Sequence, residues 1–184
     1  MPEPDNSHLS QLYKVMKMLS RKLRKNMYLY IDNYFMEIRK LVIPNEVLLG
    51  QVADLVASGT NVTLLARGNS MLPFIIGDKD SVLLIKPTPL KKGQIVLAEV
   101  VKGHYVLHRI IKIEGENITL MGDGNLCGTE HCKVSDVKAL AIKVLKGERE
   151  IDCYTGWKMF EVRLWHLLLP IRRYLLAIYR RIVL

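Results

Sequence analysis

Residue types capable of acyl-transfer chemistry occur in order along this chain. They are a serine in Gly68-Asn69-Ser70-Met71-Leu72-Pro73, a histidine in Tyr105-Val106-Leu107-His108-Arg109-Ile110-Ile111, and carboxylates at Asp123 and Glu130. A serine held between a permissive Gly68 and a backbone-stiffening Pro73 is suited to a rigid, accessible nucleophile. Taken alone, such a serine is more often a turn residue capping its own backbone. An imidazole at His108 can take a serine proton and return it to a leaving amine. On a strand, Val106, His108 and Ile110 share one face and Arg109 points the other way, placed to anchor a carboxylate or a backbone carbonyl. The guanidinium stays charged and is unsuited to proton abstraction. In Gly122-Asp123-Gly124-Asn125 two glycines let Asp123 sit on a tight turn, its carboxylate able to hold an imidazole in one tautomer. Glu130 is a second orienting carboxylate, and one sequence leaves the choice between Asp123 and Glu130 open. Lys112 has the parity of His108 and offers a serine-lysine alternative, although a surface lysine is the commoner use of such a position.

These groups need a rigid frame, and the apolar pattern supplies one. From Thr60 onward the period is that of short strands: 60–66, 81–86, 94–101, 104–114, 118–121, 137–146 and 151–154, separated by turns at Gly103, Gly115 and Gly147. The absence of a repeated βαβ unit points to a mainly β fold, an antiparallel and partly coiled domain. Ahead of it, Pro44 stops a helical region and Asn45 caps a short helix running to Ala57. Earlier still, Leu12, Met16, Leu19, Leu23 and Met27 recur at helical steps beside a stripe of Lys14, Lys17, Arg21 and Arg24. The organisation expected is a basic amphipathic helical extension over 1–43, a catalytic β domain over 44–154, and an amphipathic basic tail over 155–184.

Lys plus Arg number 27 against 18 Asp plus Glu, a net charge of +9 over 184 residues. That balance favours a polyanionic partner, nucleic acid or an anionic membrane. The three cysteines, Cys127, Cys132 and Cys153, are too few and scattered for a disulfide framework, which fits a reduced interior. Cys127, His131 and Cys132 lack the spacing of a closed zinc site, so neither a metal nor a cofactor is expected. The first residues are acidic and polar and do not read as a cleaved secretion signal.

The boxes around Ser70, Gly77-Asp78, His108-Arg109-Ile110 and Gly122-Asp123-Gly124-Asn125 resemble the signal-peptidase and LexA-like serine peptidase superfamily. They are closer to its serine-histidine signal peptidases and their shorter bacterial relatives. The resemblance covers roughly 62–144. It implies a coiled antiparallel β fold with Ser70 as nucleophile and His108 in the base position. It also places an acidic residue six positions beyond Asp123. Thr129 stands there, with Glu130 one position later, so either Glu130 or Asp123 fills the orienting role. The hydroxyl that assists the oxyanion in ordinary bacterial signal peptidases is replaced by Gly68, which leaves the task to backbone N–H groups. The substrate class implied is precursor or exported polypeptides with small residues at the cleavage junction.

The tail mixes Trp157, Phe160 and Trp165 with Ile171, Leu175, Ile178 and Ile182 at helical spacing, and adds Arg172, Arg173, Arg180 and Arg181. This design suits a helix lying at a lipid interface, with packing over the β domain as the alternative. Its longest stretch without Asp, Glu, Lys or Arg, Leu164 to Ile171, is eight residues, far short of the roughly 20 that cross a bilayer. The function expected is a serine endopeptidase acting on a precursor polypeptide. It is expected to be peripherally attached to an anionic membrane on the cytoplasmic side, or cytoplasmic, with no specific nucleic-acid partner. Two other readings compete with it: a noncatalytic binding module on the same scaffold, and a LexA-like regulator, for which no helix-turn-helix is apparent.

Overall fold

A computed structural model describes residues 45–183. Of the two units into which the chain divides, Met1–Val42 and Ile43–Leu184, the second holds every described residue. The amphipathic stretch expected at the start of the chain, with its basic stripe, lies outside the described residues.

Helix α1 (Asn45–Ala57) ends where Gly59, at φ 96°, turns the chain toward the sheet. The strands follow as β1 (Val62–Leu65), β2 (Ser81–Ile85), β3 (Ile95–Val101), β4 (His104–Glu114), β5 (Asn117–Met121), β6 (Glu130–Lys133), β7 (Val137–Lys146) and β8 (Arg149–Asp152). Helices α2 (Gly156–Leu167) and α3 (Arg172–Val183) close the chain. All strand pairs are antiparallel, in the order β1-β2-β7-β3-β4-β5-β6 with β8 on β7. The fold is therefore the mainly β architecture expected from the strand pattern. It adds β6, a short polar strand that the pattern did not mark.

The sheet coils because its central strands carry a core on each side. Ile95, Val96, Leu97 and Ala98 of β3 are all buried. Ile95 and Leu97 join Val52 and Val56 of α1, Val82 and Leu84 of β2, and Ala139 and Ala141 of β7. Val96 and Ala98 join Ile110, Ile118, Leu120 and Cys132 in a second cluster. Alternation thus sends successive residues into different cores, and a strand covered on both faces reads as a continuous apolar run. Register shifts between Leu83 and Leu84, Leu97 and Ala98, and Ile110 and Lys112 mark bulges that sharpen the twist. Tyr154 ties the centre together, its hydroxyl accepting from the Ile95 N–H at 3.1 Å and donating to the Ala141 carbonyl.

Both C-terminal helices pack on the domain. The Thr155 hydroxyl accepts from the Lys158 N–H and caps α2. Val162 of α2 and Arg172 and Leu176 of α3 are buried. No helix of the described residues is long and apolar enough to cross a membrane.

Candidate active site

Strand β1 delivers the chain to a closed loop carrying Ser70. The loop is shut by backbone hydrogen bonds from Ala66 N–H to the Asp80 carbonyl at 2.9 Å and from Asp78 N–H to the Ala66 carbonyl at 2.8 Å. The Asp80 carboxylate accepts from the Ile76 N–H and pairs with Lys146 at 2.9 Å. Gly68 has φ 76°, the left-handed region that L side chains rarely adopt, and Gly77 lies so close that a Cβ there would strike the Gly68 carbonyl. Half-buried Ser70 and buried His108 line one cavity of about 260 Å³. Leu49, Leu64, Met71, Leu97 and Leu107 give that cavity its apolar wall.

Strand β4 presents His108 and Arg109 to opposite sides. His108 Nδ1 lies 2.9 Å from Glu130 Oε2, so the carboxylate accepts Nδ1–H and Nε2 is left for another partner. The registers explain the meeting: Ile110 faces Leu120, and Leu120 faces Glu130, which puts His108, Ile110, Leu120 and Glu130 on one side of the sheet. Thr129 points elsewhere, its hydroxyl 3.4 Å from His131 Nε2.

On the other side Arg109 meets Asp123. Its Nε donates to Oδ1 at 2.8 Å, Nη2 to Oδ2 at 2.7 Å, and Nη1 to the Gly93 carbonyl at 2.6 Å. Arg109 and Asp123 are 2% and 0% exposed. Burial alone would favour a neutral guanidinium, but the adjacent Asp123 carboxylate outweighs it and holds Arg109 above its ordinary pKa. Asp123 therefore does not reach His108. Both possibilities raised for Arg109, a carboxylate and a backbone carbonyl, are met at once.

The turn around Asp123 instead braces the serine. Gly124 N–H donates to the carbonyl of Ser70 itself at 2.7 Å. A Cβ on Gly124 would sit 2.5 Å from the Asn69 carbonyl oxygen, and one on Gly122 would collide with the Ser70 carbonyl oxygen. These two glycines are needed for backbone-to-backbone approach rather than to free the Asp123 carboxylate. Behind the turn, Trp165 Nε1 donates to the Asp123 carbonyl at 2.7 Å and Arg172 Nη1 to the Asn125 carbonyl at 3.0 Å. Arg172 lies over the Trp165 ring, Phe74 meets that ring edge-on, and the Tyr179 hydroxyl donates to the Pro73 carbonyl. Trp165 thus faces the domain, not the lipid interface that the tail's composition suits, and the Tyr179 hydroxyl faces it too. Sequence reasoning missed this support because nothing local says which carbonyls an aromatic N–H or a guanidinium will meet.

Other candidates lie apart. Lys112 is exposed and paired with Glu114, and it does not line the Ser70 cavity. Burial pushes the Cys153 thiol up to about 11 and raises Cys132 as well, so both behave as small apolar groups. Among the described residues no group of three His, Cys, Asp or Glu side chains is placed to hold a metal ion. A family model described as Peptidase S24-like matches residues 24–144 of the chain. No curated protein matches it.

Proposed function

The chain belongs to the Peptidase S24-like family, within the LexA-like serine peptidase superfamily, and on that premise we propose that it is a serine endopeptidase using Ser70, His108 and Glu130. The observation that carries this reading is the His108–Glu130 bond at the rim of the cavity that Ser70 lines. With Nδ1–H given to Glu130, His108 Nε2 is the nitrogen able to take the Ser70 proton as Oγ attacks a peptide carbonyl carbon. The Ser70 N–H donates to no group among the described residues and is the natural oxyanion donor. Collapse of the tetrahedral intermediate breaks the C–N bond, His108 protonates the leaving amine, and an ester joins the acyl part to Oγ. Water, giving its proton to His108, then hydrolyses that ester and restores the serine.

The substrate proposed is an extended segment of a precursor polypeptide. Among the described residues strand β1 is outermost in the sheet order, and it runs straight into the Ser70 loop, so an extended chain can align beside it. The apolar wall of the cavity suits an apolar side chain next to the scissile carbonyl, and a small one is what the family resemblance implies. Asp123 is given a scaffold role in this reading. A noncatalytic module on the same scaffold is favoured by one observation: no hydrogen bond among the described residues joins Ser70 Oγ to the His108 ring.

Mass spectrometry after treatment with a small-residue peptide acylating probe distinguishes the two. The expected result is one adduct on Ser70, absent in Ser70→Ala and reduced on the order of 100-fold in rate in His108→Ala. A folded protein that forms no adduct would overturn the enzyme reading in favour of the noncatalytic module.

A further inference from the structure

The outward faces of α2 and α3 take no part in the chemistry above. On α2, Trp157, Phe160, Leu164 and Leu167 recur at steps of three or four and are exposed, Trp157 by 69% and Leu167 by 77%. Ile171, just ahead of α3, and Tyr174, Ile178 and Ile182 on it keep the same spacing, the last 78% exposed. The domain covers a different face of each helix, through Val162, Arg172 and Leu176. Each helix therefore carries an apolar stripe beyond the one that packing uses, and contiguous stripes of this kind mark an interaction surface.

Charge identifies the partner. From Val162 to Leu184 there is no Asp or Glu, and besides buried Arg172 the segment carries the exposed Arg163, Arg173, Arg180 and Arg181. The occupant must therefore be apolar and anionic together. A second copy of this chain docked about a two-fold axis would set arginine-rich surfaces against each other. Nucleic acid would satisfy the arginines and leave the stripes in water. The surface of an anionic bilayer supplies acyl chains for the stripes and phosphates for the guanidinium groups, and helices of 12 residues can lie in its plane although they are too short to span it.

We propose that α2 and α3 form an interfacial anchor whose outer face binds anionic lipid, with Trp157 entering the headgroup boundary. The same helices hold the Asp123 and Asn125 carbonyls through Trp165 and Arg172, and that turn is bonded to Ser70. Anchoring therefore sets the position of the Ser70 cavity relative to the membrane surface. The anchor does not depend on peptidase activity, and its test reads binding only.

The test is co-sedimentation of the full chain with vesicles of phosphatidylcholine alone or doped with phosphatidylglycerol, beside tryptophan emission. Binding to the anionic vesicles, weakening with salt, is expected with a blue shift that Trp157→Phe removes. Phe160→Ser, Leu167→Ser and Ile182→Ser combined are expected to lower binding by about tenfold or more. Arg180→Gln with Arg181→Gln should lower it less and flatten the salt dependence. All these side chains are exposed, and a melting curve checks that each variant is folded. No binding to either vesicle overturns the proposal. So does binding that survives the tail variants but is lost when Lys14, Lys17, Arg21 and Arg24 become glutamine, because the attachment is then N-terminal. Self-association abolished by the triple variant, without lipid binding, would assign the stripes to an interface between copies instead.

Discussion

His108 and Arg109 are neighbours on one strand, and each is paired with a carboxylate from the segment that begins at the end of β5, yet the two pairs differ in nearly every physical respect. Arg109 and Asp123 are sealed from solvent and spend their polar atoms on each other and on the Gly93 carbonyl. Glu130 keeps 31% of its side chain exposed, and it contacts His108 through one nitrogen beside an open cavity. The first arrangement leaves nothing over for a reacting group. The second leaves a ring nitrogen that can exchange a proton. In the proposed mechanism, burial and unspent hydrogen-bonding capacity, more than residue type, separate the structural carboxylate from the reactive one.

The widest test of that comparison removes the charge of each carboxylate. Asp123→Asn leaves a buried guanidinium without its counter-ion and is expected to cost about 3 to 5 kcal/mol in urea unfolding. Glu130→Gln preserves an acceptor for Nδ1–H but removes the charge that supports an imidazolium. Its expected effect is a loss on the order of 100-fold in the acylation rate of Ser70, with stability changed by less than about 1 kcal/mol. The opposite pattern, an unstable Glu130→Gln and a stable but inactive Asp123→Asn, would interchange the two roles.

The sequence made much of this comparison legible and left its last step open. Strand parity was enough to send His108 and Arg109 to opposite faces. The apolar runs located most of the sheet, and β4, from His104 to Glu114, has the bounds read from the pattern. The carboxylate assignment was open because it depends on β6, whose residues Glu130, His131, Cys132 and Lys133 have neither an apolar run nor a clear alternation. Without that strand the register of Glu130 against Leu120 cannot be derived, and spacing along the chain, where Thr129 competes, is a poor substitute. Local composition suggests that the glycines beside Asp123 free a side chain, whereas they admit the backbone of the Ser70 loop. That use depends on a contact between segments about fifty residues apart, which local conformational preference does not encode.

A narrower test asks whether the buried pair's turn acts on the serine as well as on stability. Trp165→Phe keeps a ring against Phe74 and Arg172 but removes the N–H that the Asp123 carbonyl accepts at 2.7 Å. The expected cost is about 1 kcal/mol of stability, the net worth of one such bond. Because the same turn donates Gly124 N–H to the Ser70 carbonyl, a several-fold slower acylation is expected beside it. Equal acylation rates in the two proteins would confine the turn to a structural part and sharpen its contrast with His108 and Glu130.

The smallest expected effect separates the two regions by pH. His166 is half-buried on α2, and burial lowers its pKa below the usual value; Asp123 opposes that shift, while Arg172, Arg109 and Lys92 reinforce it. The folded state therefore favours the neutral ring, and the unfolded chain takes up the proton first as pH falls through about 6.5. In the window between that value and the lowered one, the unfolded state binds more protons, so stability rises with pH. The contribution is complete above the unfolded value and is lost on acidification through the window. His166→Gln is expected to flatten this part of the stability profile in urea unfolding across pH. The acylation rate of Ser70, which in the proposed mechanism uses His108 on the other side of the sheet, should keep the unsubstituted protein's pH profile in the same variant. If one substitution flattened both profiles, the two sides of β4 would be a single titrating unit, and the division between buried scaffold and reactive pair would fail.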